Sequence, residues 1–322
     1  MNIAIMGAGG IANAMARTVN EMGDARLYAV ASRSIEKAEG FAGKYNIEKA
    51  YGSYEEMVKD ESVDLVYIAT PHSHHFENAR LCLEHGRPVL CEKAFTVNAR
   101  QAEELFRISE EKNVFITEAF WTRFMPSMKI IKKLLDNGAI GTPMMFTANQ
   151  GGSILDIPRI VEPELAGGAL LDSTVYPINF AVQMFGWDFE KYNASATFYK
   201  TGVDMINSIS LMYPDGKLAV INSSIASAVD RLVIISGSDG RIEITGTNNP
   251  EKIIIYDRYG AEKENVPVPK QITGYEYEVQ ASMKAIREGK LECEEMPHAE
   301  TLRVMRFMDE IRGEWGLKYP FE

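Results

Sequence analysis

Cysteine is scarce in this 322-residue chain: Cys82, Cys91 and Cys293 are its three. They are too few for a disulfide framework and too far apart for a CxxC motif, so a reducing, cytoplasmic setting is expected. Long apolar runs are missing as well. None approaches the roughly 20 residues needed to cross a bilayer, so a soluble protein without a membrane partner is expected. Positive charge is in short supply, with 34 Lys and Arg against 45 Asp and Glu and a formal net charge of −11. With no basic run interleaved with aromatics, such a surface is not built to neutralise phosphates, and nucleic acid is not an expected partner. Internal repeats and low-complexity linkers are also absent. What remains is an ordinary globular composition, 46% hydrophobic and 25% charged, with a length that allows two domains with separate cores.

The N-terminal third alternates strand and helix. The opening MNIAIMGAGGIANAMA imitates a signal peptide but has no basic leading region, so it reads as strand and turn. Asn2 to Met6 is a buried-strand candidate, followed by glycines and by helical spacing from Ile11 to Met22. The same order returns: strand 27–31, helix 34–45, strand 65–69, helix 73–85, then Val89-Leu90-Cys91. Such alternation implies parallel strands with crossover helices. After about residue 140 the texture changes to period-2 segments such as Ser208 to Tyr213, broken by Pro214-Asp215-Gly216 and Ser238-Asp239-Gly240. These read as antiparallel strands. A helical pattern over 300–311 comes last. The expected class is α/β, with a doubly wound domain over 1–122 and a sheet-rich α+β domain over 123–322.

Between the first strand and the first helix, Gly7-Ala8-Gly9-Gly10-Ile11-Ala12 fits G-x-G-x-x-G/A. Gly7 permits the tight turn, Gly9 lets a pyrophosphate approach the backbone, and Ala12 allows close packing, while the helix N-terminus around Gly10 and Ile11 offers free N–H donors. The dull alternative is a glycine-rich turn without a ligand. An NAD-type site places an acid about 20 residues after the turn. Here the second strand ends in Ala31-Ser32-Arg33-Ser34, with no acid, and Ser32 and Arg33 suit the extra phosphate of NADP. The third strand runs into Thr70-Pro71-His72-Ser73-His74-His75. Adjacent His74 and His75 cannot easily share one ion and no partner cluster is in sight, so lining a nicotinamide pocket is expected and a metal is not.

The glycine turn, Thr70-Pro71 with His75, Glu92-Lys93 after the next strand, and Glu118-Ala119-Phe120-Trp121-Thr122-Arg123 together resemble the Gfo/Idh/MocA oxidoreductases over nearly the whole chain. The segment Gly167 to Pro177 and the ending Gly316-Leu317-Lys318-Tyr319-Pro320-Phe321 are most similar to the branch of dimeric dihydrodiol dehydrogenases and glucose-fructose oxidoreductases. The resemblance implies a Rossmann domain, a C-terminal domain on an open, mostly antiparallel sheet that serves homo-oligomers (a dimer or tetramer), and NADP(H) as cofactor. It further implies that Thr70, Pro71, His72, His75, Glu92, Trp121 and Arg123 lie at the cofactor, that Lys93 is the catalytic lysine and Tyr176 the proton-transferring tyrosine, and that the substrate is a sugar, anhydrosugar or cyclic diol.

Hydride transfer to or from a carbinol carbon needs a group that takes or returns the hydroxyl proton. Lys93 and Tyr176 fit that need, and Asp172, one helical turn before Tyr176, would hold a substrate hydroxyl or orient Lys93. Each has a plainer reading: a surface lysine paired with Glu92, a helix cap, a core aromatic. Two other functions share the fold, a glycosidase that keeps its nicotinamide and oxidises transiently, and a non-catalytic NADP-sensing regulator. This chain departs from the family pattern at Ala94, where proline is usual and would ease a cis bond, and at Thr174, where glycine is usual. Looser placement of Lys93 and a less tight turn before Tyr176 are expected from these changes.

Overall fold

Residues Ile3 to Met6 are apolar at every position and buried on both sides, which is how a central parallel strand reads. They belong to β1 (Asn2–Met6), the centre of a sheet completed by β2 (Arg26–Ala31), β3 (Lys49–Tyr51), β4 (Leu65–Ile68), β5 (Val89–Glu92) and β6 (Ile116–Ala119). All pairings are parallel, in the order β3-β2-β1-β4-β5-β6, the doubly wound arrangement of a dinucleotide-binding fold. The computed structural model describes residues 1–322.

Local chemistry sets where the crossover helices start and stop. Ser34 accepts a hydrogen bond from the Lys37 amide and caps helix Ile35–Tyr45, and Asn98 does the same for Gln101 at the head of helix Ala99–Lys112. Both helices end on an asparagine with positive φ, Asn46 and Asn113. The helix expected from Ser73 begins instead as a 3-10 turn, His72–His74, and becomes α-helical over His75–Glu84. Pro71 at its entrance fixes the tighter start.

The period-2 region forms a second sheet of β7 (Pro143–Gly151), β8 (Lys191–Phe198), β9 (Asp204–Met212), β10 (Leu218–Ser224), β11 (Leu232–Gly237), β12 (Gly240–Thr245), β13 (Lys252–Asp257) and β14 (Glu262–Val266). Its order is β14-β13-β12-β11-β7-β10-β9-β8. Only β7 and β10 run parallel; the other neighbours are antiparallel. Alternate residues, among them Phe146, Ile209, Leu211, Ile221 and Ile235, are fully buried. Helix Val175–Phe185 packs there, with Phe180 and Phe185 against the Phe146 ring. Met145, Phe198 and Ile206 stay exposed.

The chain divides into a first unit of residues 1–124 and 271–306 and a second of 125–270 and 307–322. This differs from a division at 122/123 into two continuous stretches, because residues 271–306 return to the first unit. Tyr275 stacks on Trp121 at 4.2 Å, the His298 ring stacks on Phe106 at 3.9 Å, and the Ile116 amide donates to the Leu291 carbonyl. The last helix is longer than its apolar pattern, His298–Trp315. No helix is long and apolar enough to cross a membrane.

Candidate active site

Because β1, β2, β4, β5 and β6 are parallel, their carboxyl ends deliver Gly7, Ser32, Thr70, Lys93 and Trp121 to one edge of the first sheet. Gly7 has φ +104°, and a Cβ there would stand 3.0 Å from the Ala69 carbonyl oxygen, so a side chain is excluded. A Cβ on Gly10 would meet nothing within 4 Å, and one on Gly9 only that same carbonyl at 4.0 Å. Helix Gly10–Glu21 has no side-chain cap and no acid in its first turn. Its N-terminal donors and dipole therefore face open space suited to an anion, which fits a pyrophosphate. The buried Trp121 Nε1–H has no acceptor, a second feature that fits a ligand on this edge. Arg33 is exposed at the end of β2, while the Ser34 hydroxyl is committed to Glu36 and the cap.

Several residues expected to line the cofactor also tie this edge together through contacts within the protein. His75 is fully buried, with Nδ1 2.9 Å from the Ala94 carbonyl and Nε2 2.8 Å from the Thr70 carbonyl. The carbonyls favour an imidazolium, but burial outweighs them and pushes the ring down to about 4, so the neutral ring, lodged between the β4 and β5 loops, donates to one of the two carbonyls at a time. His72 packs edge-on against it. Arg123 Nε donates to the Glu295 carbonyl at 3.1 Å and its NH1 to Glu300 at 3.2 Å, so its guanidinium fastens the Trp121 turn to the returning segment. Glu92 is nearly buried at the end of β5. Its carboxylate accepts from the Tyr67 hydroxyl and, at 3.2 Å, from the Lys93 amide. Behind it lies Glu278, wholly buried with neither carboxylate oxygen hydrogen-bonded, and burial together with the Glu92 charge raises its pKa well above the usual range. Glu278 is therefore carried as the neutral acid.

Lys93 is half-buried at the end of β5, and its peptide bond to Ala94 is cis although no proline follows. Glu118, on β6, accepts from the Phe95 amide at 3.2 Å and from the Thr301 hydroxyl at 3.0 Å. Burial pushes its carboxyl up to about 7 against those donors.

In the second unit, Asp172 lies in a π-helical turn, Leu170–Thr174, that runs straight into helix Val175–Phe185 and Tyr176. Such wide turns in helices are frequent at functional sites. Asp172 is no helix cap: its Oδ1 accepts from Arg159 at 2.7 Å, a partner on the short helix Pro158–Val161 that nothing in the sequence signals. Tyr176 is 8% exposed, as is Asp172. Thr174 closes the turn, its hydroxyl 3.0 Å from both the Ala169 carbonyl and Asn207 Oδ1. The turn, wider than an α-helical one, is thus held by a side chain that glycine would lack.

Residues 1–120 match the oxidoreductase family with an NAD-binding Rossmann fold, and residues 128–249 match the Gfo/Idh/MocA C-terminal domain. The trans-1,2-dihydrobenzene-1,2-diol dehydrogenase of Xenopus tropicalis is 36% identical over 305 residues, covering 92% of each chain. Its human counterpart is 32% identical over 302 residues, covering 92% of this chain and 90% of its own. Among solved structures, a 3-ketoreductase from Actinomadura kijaniata in complex with NADP and TDP-benzene superposes with a TM-score of 0.89 at 24% identity over 97% of both chains. An aldose-aldose oxidoreductase from Caulobacter crescentus gives 0.85 at 22% identity over 98% of both. By these matches, and by a glycine turn and sheet edge that suit a dinucleotide, the chain belongs to the Gfo/Idh/MocA family of NAD(P)-dependent oxidoreductases.

Proposed function

We propose that this enzyme moves a hydride between NADP(H) and a CH–OH or carbonyl carbon of a cyclic diol, sugar or anhydrosugar, with Lys93 and Tyr176 as its proton relay. The observation that carries the reading is the Asp172–Tyr176 segment. A carboxylate and a phenol, both nearly buried, stand four residues apart, one on a π-turn and one on the α-helix it enters, in a chain whose relatives are named diol dehydrogenases. The dinucleotide supplies the hydride acceptor or donor. The chain's own groups would do the rest. Asp172, its charge shared with Arg159, accepts a substrate hydroxyl and sets which carbon is presented. Tyr176 Oη, as the tyrosinate that the Lys93 ammonium favours, receives the hydroxyl proton during oxidation, and as the phenol returns it during reduction.

Arg33 supports NADP over NAD, because an exposed guanidinium at the end of β2 pairs with a phosphate, and no acid stands directly beside it to accept from two ribose hydroxyls. Following nicotinamide absorbance across a panel of trans-diols, sugars and dicarbonyls tests the reaction. Arg33→Ala tests the cofactor: NADPH affinity should fall at least tenfold, about 1.4 kcal/mol, with NADH affinity nearly unchanged. Equal NADPH affinity in the variant would refute the assignment. The reading extends to a homo-oligomer through the open face of the second sheet.

A further inference from the structure

The ending Gly316 to Phe321 plays no part in the chemistry above, yet two of its residues are packed as core: Leu317 and Tyr319 are 7% and 2% exposed. Arg312, on the last helix, donates to Asp309 and to both oxygens of Glu322, and lies over the Tyr319 ring at 5.0 Å. The Tyr319 amide donates to Glu322 as well. The tail is therefore folded back and fixed, and what it presents is one hydroxyl: Tyr319 Oη donates to the Gly167 carbonyl at 2.8 Å.

Gly167 opens the turn that carries Asp172. Its neighbour Gly168 has φ +116°, and a Cβ there would stand 2.2 Å from Asp204 Oδ1, so the chain passes directly over that carboxylate. Asp204 is fully buried at the start of β9. Its Oδ2 accepts from the Leu170 amide at 2.7 Å and from Asn207 Nδ2 at 2.8 Å. Asn207 in turn offers Oδ1 to the Thr174 hydroxyl at 3.0 Å. Tyr319, Asp204, Asn207 and Thr174 thus grip the turn at Gly167, Leu170 and Thr174. They are 2% exposed or less, which leaves them out of reach of a substrate. The two residues that the grip holds in place are the ones assigned above to the substrate, Asp172 and Tyr176.

We propose that the C-terminal tail and the buried polar pair of β9 form a clamp on the 167–174 turn, with Tyr319, Asp204 and Thr174 as positioning residues that set Asp172 and Tyr176 for proton transfer. The clamp rests on the role given to Asp172 and Tyr176. Its burial implies that loosening it slows turnover and leaves dinucleotide binding intact, since the glycine turn belongs to the other unit.

The test compares full-length Tyr319→Phe, Thr174→Val, Thr174→Ser and Tyr176→Phe with the wild type, using a trans-cyclohexane-1,2-diol and NADP, NADPH binding by fluorescence, and hydrogen exchange over 167–176. Tyr319→Phe and Thr174→Val should lower kcat about tenfold or more, in keeping with the cost of a small misplacement of reacting groups, at unchanged NADPH affinity. Both should speed amide exchange over 167–176, and Thr174→Ser, which keeps the hydroxyl, should restore both readouts. Wild-type exchange in the two variants, or NADPH affinity falling in step with kcat, would overturn the clamp; the exchange readout decides whether or not this diol is turned over. Undiminished kcat in Tyr176→Phe would instead overturn the relay and leave the clamp on the turn standing.

Discussion

Glu118 shows how one side chain of a recognisable motif can be essential to the site's frame without touching the chemistry. Its two oxygens hold the amide that follows the Lys93–Ala94 pair and the hydroxyl of Thr301, so it joins the end of β5 to the returning helix. Burial places its folded-state pKa at about 7, above the ordinary 4.5. Between those values the folded chain binds the proton more tightly than the unfolded one. Its contribution to stability is therefore fully present below about pH 4.5 and is lost as pH rises through about 7. Glu118→Gln keeps the shape and removes the titration. The stability difference between wild type and variant, from urea unfolding at several pH values, should drift against the wild type by on the order of 3 kcal/mol across that window. A difference that does not change with pH would contradict the buried, proton-hungry Glu118. Asp204, which burial lifts to about 6 against the Asn207 and Leu170 donors, is common to both proteins and cancels. At this scale the sequence was a mixed guide. Glu92 was visible as a neighbour of Lys93, but its hydrogen bond from the Tyr67 hydroxyl joins residues whose meeting no spacing encodes. Arg159 was invisible for the same reason, since its only mark is the carboxylate it reaches.

At the scale of elements, local rules carried far where the signal is local. The strand, glycine turn and helix at the N-terminus, the Ser34 and Asn98 caps and the alternating strands are each written within a few adjacent residues. The π-turn was not legible, because it is made by Asp204 and Asn207 on a distant strand and by Tyr319 near the last residue. Nor was the assignment of 271–306 to the first unit, because the apolar period of helix Glu276–Arg287 says that it is buried and not where. The second sheet leaves Met145, Ile206 and Phe198 exposed on strands whose alternate residues are fully buried. Large apolar side chains left exposed on one sheet are candidates for an association site. If copies of the chain pair through this face, Met145→Lys with Ile206→Lys should lower the molar mass measured by light scattering to that of one chain, at unchanged melting temperature. An unchanged molar mass above one chain would place the interface elsewhere.

For the whole molecule, the formal charge of −11 gives no general attraction for polyanions, so an anionic cofactor has to be held by local features such as the glycine turn and its helix N-terminus. Fold and family follow from the chain as a whole, whereas side-chain meetings such as that of Arg159 with Asp172, 13 positions apart, are encoded by no motif and are read from structure. The central claim is that a lysine and a tyrosine carry the proton while the dinucleotide carries the hydride. The most direct measurement is the single-turnover rate of nicotinamide absorbance change, with cofactor prebound, in Lys93→Met and Tyr176→Phe. The account predicts a loss of about a hundredfold or more in each, within the usual range for a positioned acid or base, with NADPH affinity retained in Tyr176→Phe. Full hydride-transfer rates in both variants would contradict it.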